Sequence, residues 1–392
     1  MALAPDVTRR VDDAVDALAG ELRALALKIH AHPELRFEER RASAWVAEAV
    51  RARGHAVEAP VGGLDTALRA RAGSRGPRVA LLAEYDALPE IGHACGHNLI
   101  AAGAVGAFLA AATVAESLGG TVELLGTPAE EGGGGKQLLL DAGVFEGVDA
   151  AMMFHPFDRD LVAHPTLANL WLEMTFRGAP AHAAIAPWDG ASALTACLQT
   201  FSLVDAQRVH FRDGVRVHGY VTDGGRAVNI IPERAGCEFS VRARDLDELA
   251  RVRAIVERCA RGAAMACGVE VELKARRGYK DVRTNPAIAE VFSAHLAALG
   301  RPSRFEDPTV GTGSTDMGDV SHAVPSIHAW LAICGQGEAL CHQRAFAAAA
   351  CSERGVATML TAAKAMARSA AELIADADLR ARVREGFRAG AV

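Results

Sequence analysis

The chain has 392 residues, 50% of them hydrophobic and 23% charged, with 42 basic against 48 acidic side chains and a formal net charge of −6. That is long for one ordinary core, so two domains in a globular protein are the expectation. The balance of charge excludes the basic footprint of a nucleic-acid binder, and no Lys/Arg cluster flanks an amphipathic stretch as at a membrane surface; small-molecule partners are favoured.

The N-terminal stretch MALAPDVTRRVDDAVDAL is charged within nine residues and lacks the apolar core of a signal peptide, which points to a cytoplasmic location. Apolar residues at three-and-four spacing predict helix over 7–53, broken at Pro33 and ended at Gly54. Short strands are expected over 55–58 and 67–71. The continuous apolar run 77–85 reads as a strand covered on both faces. A loop over 86–98 follows, holding His93, Cys95 and His97 within five residues. Residues 99–115 are the most apolar run, slightly short of the roughly 20 residues of a membrane-spanning helix, and read as a buried core helix. Strand 121–126, an acidic glycine-rich loop 127–135, helix 136–142 and strand 149–154 complete a β/α alternation with a mostly parallel sheet.

Near residue 168 the pattern changes to strand, helix, two strands, helix and strand, ending near 278. That βαββαβ order is a ferredoxin-like module able to fold as an insertion. The first domain is therefore expected to be discontinuous, 1–167 with 279–392, around an inserted domain 168–278. In its second part 285–300 reads as helix, 311–319 as a loop, 326–334 as a strand and 345–377 as mostly helix. None of the eight cysteines forms a CxxC pair, and they are expected to stay reduced.

Parallel sheets carry functional groups on loops at the carboxyl ends of their strands. Cys95 and His97 follow the strand at 77–85, Glu130 and Glu131 the strand at 121–126, His155 the strand at 149–154, and His342 the strand at 326–334. Taken singly, each has an ordinary explanation: a satisfied histidine, a packing thiol, carboxylates at a helix start. Taken together they place imidazoles, a thiolate and two carboxylates at one edge. That mixture suits zinc or a similar divalent ion with one carboxylate left as a base. His93 has no assigned role. The tetraglycine 132–135, straight after the glutamates, reads as a flexible turn or as a close approach of backbone to a ligand.

The runs DALP…HACGHN, GTPAEEGGGG, MMFHP, GAPAHAA, AVNIIPERA and GSTDMGDVSHAVPSIH, with HPELRFEE before them and His342 after, resemble the zinc aminoacylase and carboxypeptidase group, peptidase family M-20. Within it the chain is most similar to the amidohydrolase subfamily that holds aminobenzoyl-glutamate hydrolases and a branch of cytosolic dipeptidases. The architecture expected is α/β, a mixed, mostly parallel phosphorylase/hydrolase-like sheet with an inserted ferredoxin-like α+β lid and dimerisation domain. The resemblance implies two divalent metal ions, zinc or manganese, with Cys95 bridging them, His97 and His155 completing one site, and Glu131 and His342 the other. It makes Glu130 the general base, with Asp86 orienting a ligand imidazole. It also implies that His182 and Asn229 bind the substrate carbonyl, His182 from the neighbouring subunit of a homodimer.

One departure stands out: more distant relatives place a metal-binding histidine where this chain has Glu84, which leaves room for a weakly held second ion. The implied reaction is hydrolysis of an amide bond in a small N-acyl amino acid or dipeptide with a free carboxylate. Two other readings stay open: an amidase with Cys95 as nucleophile and His97 or His155 as base, and a non-catalytic binder of a carboxylated ligand. Arg226, Arg242, Arg277 and Lys280 are candidates to read that carboxylate, and each is as readily a solvated surface group.

Overall fold

A computed structural model describes residues 3–390 of the chain, which divides into two units. One runs up to Pro165 and resumes at Val282; the other is Thr166–Asp281.

In the first unit α1 (Pro5–His30) opens on proline, whose missing N–H forfeits no hydrogen bond in the first turn, and buries Val11, Val15, Leu18, Leu22 and Ile29 on one face. α2 (Arg40–Arg51) follows. Then come β1 (Val57–Glu58), β2 (Leu68–Ala72), β3 (Arg78–Ala83), α3 (His97–Ala115), β4 (Thr121–Gly126), α4 (Gly135–Asp141) and β5 (Ala150–Phe157).

The second unit consists of β6 (Ala168–Arg177), α5 (Ala193–Ala206), β7 (Arg216–Asp223), β8 (Arg234–Ala243), α6 (Leu246–Ala266) and β9 (Glu270–Arg277). Its four strands pair antiparallel in the order β7-β8-β6-β9, the ferredoxin-like arrangement. Burial alternates along β6: Leu170, Leu172, Met174 and Phe176 pack with Phe239 and Val241 of β8 against residues such as Ala196 of α5 and Val252 of α6. Ser192 and Asp245 cap the two helices by accepting from the amides of Thr195 and Glu248.

The first unit resumes with α7 (Pro286–Ala298), α8 (Met317–Ala323), β10 (Ser326–Ala332), α9 (Arg344–Ala349), α10 (Glu353–Ala375) and α11 (Ala377–Arg388). Its six-stranded sheet has the order β1-β2-β4-β3-β5-β10. The pairs β3/β4, β3/β5 and β5/β10 are parallel, and β1/β2 and β2/β4 antiparallel. Leu81, Leu124, Met152 and Ile327 face the layer formed by α1, α3 and α10, while Ala80, Leu82, Leu125 and Met153 face Leu139 of α4 and Met317 and Val320 of α8. Cover on both faces explains why these strands are almost continuously apolar.

α3 is long and apolar enough to cross a membrane by length and composition, and it lies inside the protein. Gly103 and Gly106 let it press against its neighbours, since a Cβ at either position would come within 2.6 Å of Phe154 Cε1 or Leu22 Cδ1.

Two expectations need correction, and one helix was not expected. β5 continues to Phe157 because β10 pairs with it along its whole length, from Ser326 opposite Ala151 to Ala332 opposite Phe157; His155 is therefore inside the strand, not in a loop after it. The loop expected over 311–319 ends early, with α8 starting at Met317. The stretch expected to be mostly helix, 345–377, is so, as α9 and α10, and a further helix follows it. Ser352 caps α10, and the Asp376 carboxylate accepts from the amides of Asp378 and Leu379 to start α11, which the sequence pattern did not lead one to expect.

Candidate metal centre

β3 hands over to Glu84, Tyr85 and Asp86, all buried, and the chain then loops back to α3. At the start of α3, Gly96 has φ 76°, and a Cβ there would lie 2.7 Å from Pro156 Cγ. Glycine alone fits, and its turn sets Cys95 and His97 on either side of it. β4 hands over to a loop in which Ala129 takes the left-handed φ of 61° just before Glu130 and Glu131. His342 also has positive φ, 68°, and its N–H donates to the Ala94 carbonyl at 3.0 Å, joining the last histidine to the Cys95 loop. Non-glycine residues held in that region cost energy and gather where function demands a particular aim.

These turns bring together Cys95, His97, Glu130, Glu131, His155 and His342. Ligand atoms of Cys95, His97 and His155 all lie within 4.8 Å of one another, as do those of Cys95, Glu131 and His342, and of His97, Glu130 and Glu131. Cys95 belongs to two of these groups, the position a bridging thiolate would take.

The donors fit metal ions on a second count. The Nδ1–H of His97 donates to the Asp86 main-chain oxygen at 2.9 Å and that of His155 to the Pro156 oxygen at 2.7 Å, so Nε2 is the atom each ring would offer a metal ion. His97 Nε2 and Glu131 Oε1 are buried and take part in no hydrogen bond. A buried polar atom left in this state calls for a partner. Sulfur, imidazole nitrogen and carboxylate oxygen together suit zinc or a neighbouring divalent ion.

Supporting residues come from three further segments. The Asp86 carboxylate accepts from Glu131 N at 2.9 Å and lies 3.3 Å from His97 Nδ1, so one residue braces two of the candidate ligands. It is the main chain of Asp86, not its carboxylate, that carries the hydrogen bond to the ring. Glu39 accepts from Ala129 N and Phe37 N, both at 2.9 Å, and from the Thr66 hydroxyl, and so holds the strained turn ahead of Glu130. Asp158, just beyond β5, accepts from Gly337 N at 2.9 Å and steadies the segment leading to His342.

Burial, then the neighbouring Glu131 and Glu84, push the Glu130 carboxyl well above its ordinary range. Burial and the adjacent His97 bring His155 down to about 4, which keeps it neutral. Burial opposes charge on His97, but Asp86, Glu84 and Glu131 outweigh it and raise that imidazole well above its usual value. The Cys95 thiol is pushed up by Cys341 beside it and by burial, the opposite of an activated nucleophile.

Sequence reasoning missed Glu39 and one further feature. Lys136 is wholly buried; its Nζ bonds Glu84 Oε1 and, at 2.6 Å, Asp316 Oδ1. Asp316 also accepts from Lys136 N at 2.9 Å. A lysine directly behind four glycines and ahead of the apolar run 138–140 was the available signal. His93 is buried, and burial with the nearby His97 lowers its imidazole to about 3; it belongs to none of the three ligand groups.

His182 and Asn229 belong to the inserted unit, as do Arg226, Arg242, Arg277 and Lys280. The two loops meet: His182 bridges Ile230, and Ala183 N donates to the Asn229 main-chain oxygen at 3.0 Å. His182 Nδ1 accepts from the amides of Ala184 and Ile185, both at 3.2 Å, which leaves the ring proton on the exposed Nε2.

Against known proteins, the sequence pattern of Peptidase family M20/M25/M40 matches residues 80–372. The chain is 36% identical to the Xaa-Arg dipeptidase of Mus musculus over 398 residues, covering 97% of this chain and 92% of that protein. It is 32% identical to one of the p-aminobenzoyl-glutamate hydrolase subunits of Escherichia coli (strain K12) over 318 residues, 76% of this chain and 66% of that one. Among solved structures, the Bacillus subtilis YXEP protein, described as a dinuclear metal binding peptidase, superposes with a TM-score of 0.74 at 23% identity, covering 92% of this chain and 99% of that one.

Proposed function

We propose, from the premise that this chain belongs to Peptidase family M20/M25/M40 and is a hydrolase, that it cleaves the amide bond of a small N-acyl amino acid or dipeptide bearing a free carboxylate. The observation that carries the reading is the pair of ligand groups sharing Cys95, with Glu130 beside them. Relatives named as a dipeptidase and as an aminobenzoyl-glutamate hydrolase support the substrate class.

Cys95, His97 and His155 would hold one divalent ion, and Cys95, Glu131 and His342 the other, zinc or manganese by donor type. When bound, the ions supply Lewis acidity toward the amide carbonyl and lower the pKa of water. Glu130 takes the proton of the attacking water and returns it to the departing amine. Asp86 fixes the His97 ring and the Glu131 backbone during that exchange. Asn229 and the Nε2–H of His182 donate to the substrate carbonyl oxygen as charge develops on it.

His182 does so in the site of a partner subunit, with the inserted unit as lid and dimer contact. Exposed Ile185, Trp188, Val228 and Ile230 on that unit support an apolar contact there. Mixing inactive His182→Ala and Glu130→Gln proteins should restore activity in heterodimers, one site of each pair being intact. Demonstrated subunit exchange without activity would confine His182 to its own chain.

Metal analysis joined to a panel of N-acyl amino acids, aminobenzoyl-glutamate and dipeptides tests the whole reading. Chelation should abolish hydrolysis, and zinc, manganese or cobalt should restore it. Turnover that survives complete metal removal and dies on thiol alkylation would return Cys95 to the role of nucleophile.

A further inference from the structure

Glu84 is a buried charge at the centre to which the reaction above assigns no task. Its Oε2 has no hydrogen-bond partner and lies 3.5 Å from His97 Nε2, the ring atom that would face a metal ion. Two donor atoms bound tetrahedrally to one ion at about 2.1 Å stand roughly 3.4 Å apart. Glu84 is thus already at ligand spacing from His97, yet it joins none of the three ligand groups.

We propose that Lys136 is a positioning residue that withholds Glu84 from the metal ions and so keeps the ligand set at Cys95, His97, Glu131, His155 and His342. The inference rests on the two-metal reading. Lys136 Nζ bonds the other oxygen of Glu84 and is itself tied to Asp316 through both Nζ and the main-chain N–H. The lysine cannot follow if Glu84 turns. Its backbone is fixed as well: a Cβ on the preceding Gly135 would come within 1.8 Å of the Pro128 oxygen, so α4 starts pressed against the loop that carries Glu130. A buried carboxylate deprived of its ammonium must take up a proton or pair with another cation, and at this spacing a bound metal ion competes with the proton for it.

The test titrates metal-free parent and Lys136→Met proteins with zinc and with manganese by calorimetry, with elemental analysis for stoichiometry, before any assay of turnover. Lys136→Met should bind manganese about tenfold more tightly than the parent, within the range by which supporting groups alter metal affinity. Zinc should gain less, because a carboxylate oxygen favours the harder ion. Lys136→Met should also lower kcat with KM little changed, and adding Glu84→Gln should bring both affinities back to within about threefold of the parent and recover that kcat. If Lys136→Met fails to fold, Lys136→Met/Asp316→Asn keeps the sum of buried charge unchanged and is read in the same way. Unchanged or weaker binding of both metals by a folded variant overturns the proposal while leaving the two-metal reading intact. A parent that binds neither metal overturns both.

Discussion

At the carboxyl ends of the six-stranded sheet, Glu84, Asp86, His97, Glu130, Lys136, His155 and Asp316 are all buried. On the four-stranded sheet of the inserted unit no charged side chain among the described residues of the strands is fully buried: Arg276 pairs with Glu173 at 2.7 Å and Glu238 at 2.9 Å while 45% of its side chain is exposed. Taking a charge out of water costs several kcal/mol per ion, and an ion pair regains that only with excellent geometry. A fold that needed nothing but stability would place its charges as the second sheet does. The first sheet instead accumulates carboxylates, and burial followed by the neighbouring Glu131 and Glu84 raises the proton affinity of Glu130.

The largest effect separating the two sheets should come from Glu130→Gln, which keeps the shape and removes the proposed proton carrier. Hydrolysis should fall by about 10² to 10⁴ while metal content stays near the parent's. Metal loss as large as that of Glu131→Gln would mean the two glutamates have each other's roles. Next is Asp86→Asn. The amide would turn an N–H toward either Glu131 N or the His97 ring, where the carboxylate now accepts or attracts, and metal affinity should fall about 10- to 100-fold. Calorimetric titration checks it, and an unchanged affinity would show that the main-chain oxygen of Asp86 is enough to hold His97.

Much of this first sheet was legible in the sequence because its signals are local. Strand 121–126 is reproduced residue for residue by the structure as β4, and the rule that groups cluster at strand ends led directly to Cys95, His97, Glu130, Glu131 and His342. What escaped depends on pairings across the chain. Lys136 gains its meaning from Asp316, 180 positions away, and Glu39 from Ala129, 90 positions away. No periodicity records such a partner. The extension of β5 through His155 is of the same kind, since β10 imposes it from another part of the chain. In the inserted unit the period-two alternation of β6 is itself local, which is why the order of its elements could be read while the ion pairs on its open face could not.

The smallest effect should come from that open face. Arg276 touches two carboxylates and lies over the Trp171 ring, 5.3 Å from its centroid, so a count of contacts would rank it with Lys136. Its surroundings argue otherwise. With nearly half the side chain in water, the Coulomb attraction is screened, and removing the arginine leaves Glu173 and Glu238 free to be hydrated. The cation–π contact adds about 0.5–1 kcal/mol at an exposed site. Arg276→Ala should therefore lower unfolding free energy by about 1 kcal/mol or less in denaturant titration, with metal affinity unchanged. Lys136→Met removes one positive charge in the same way but leaves two carboxylates where water cannot reach, and a buried pair broken on one side costs about 3–5 kcal/mol. If the two substitutions destabilise the protein equally, burial is not what distinguishes the sheets, and the charges at the strand ends would need another explanation.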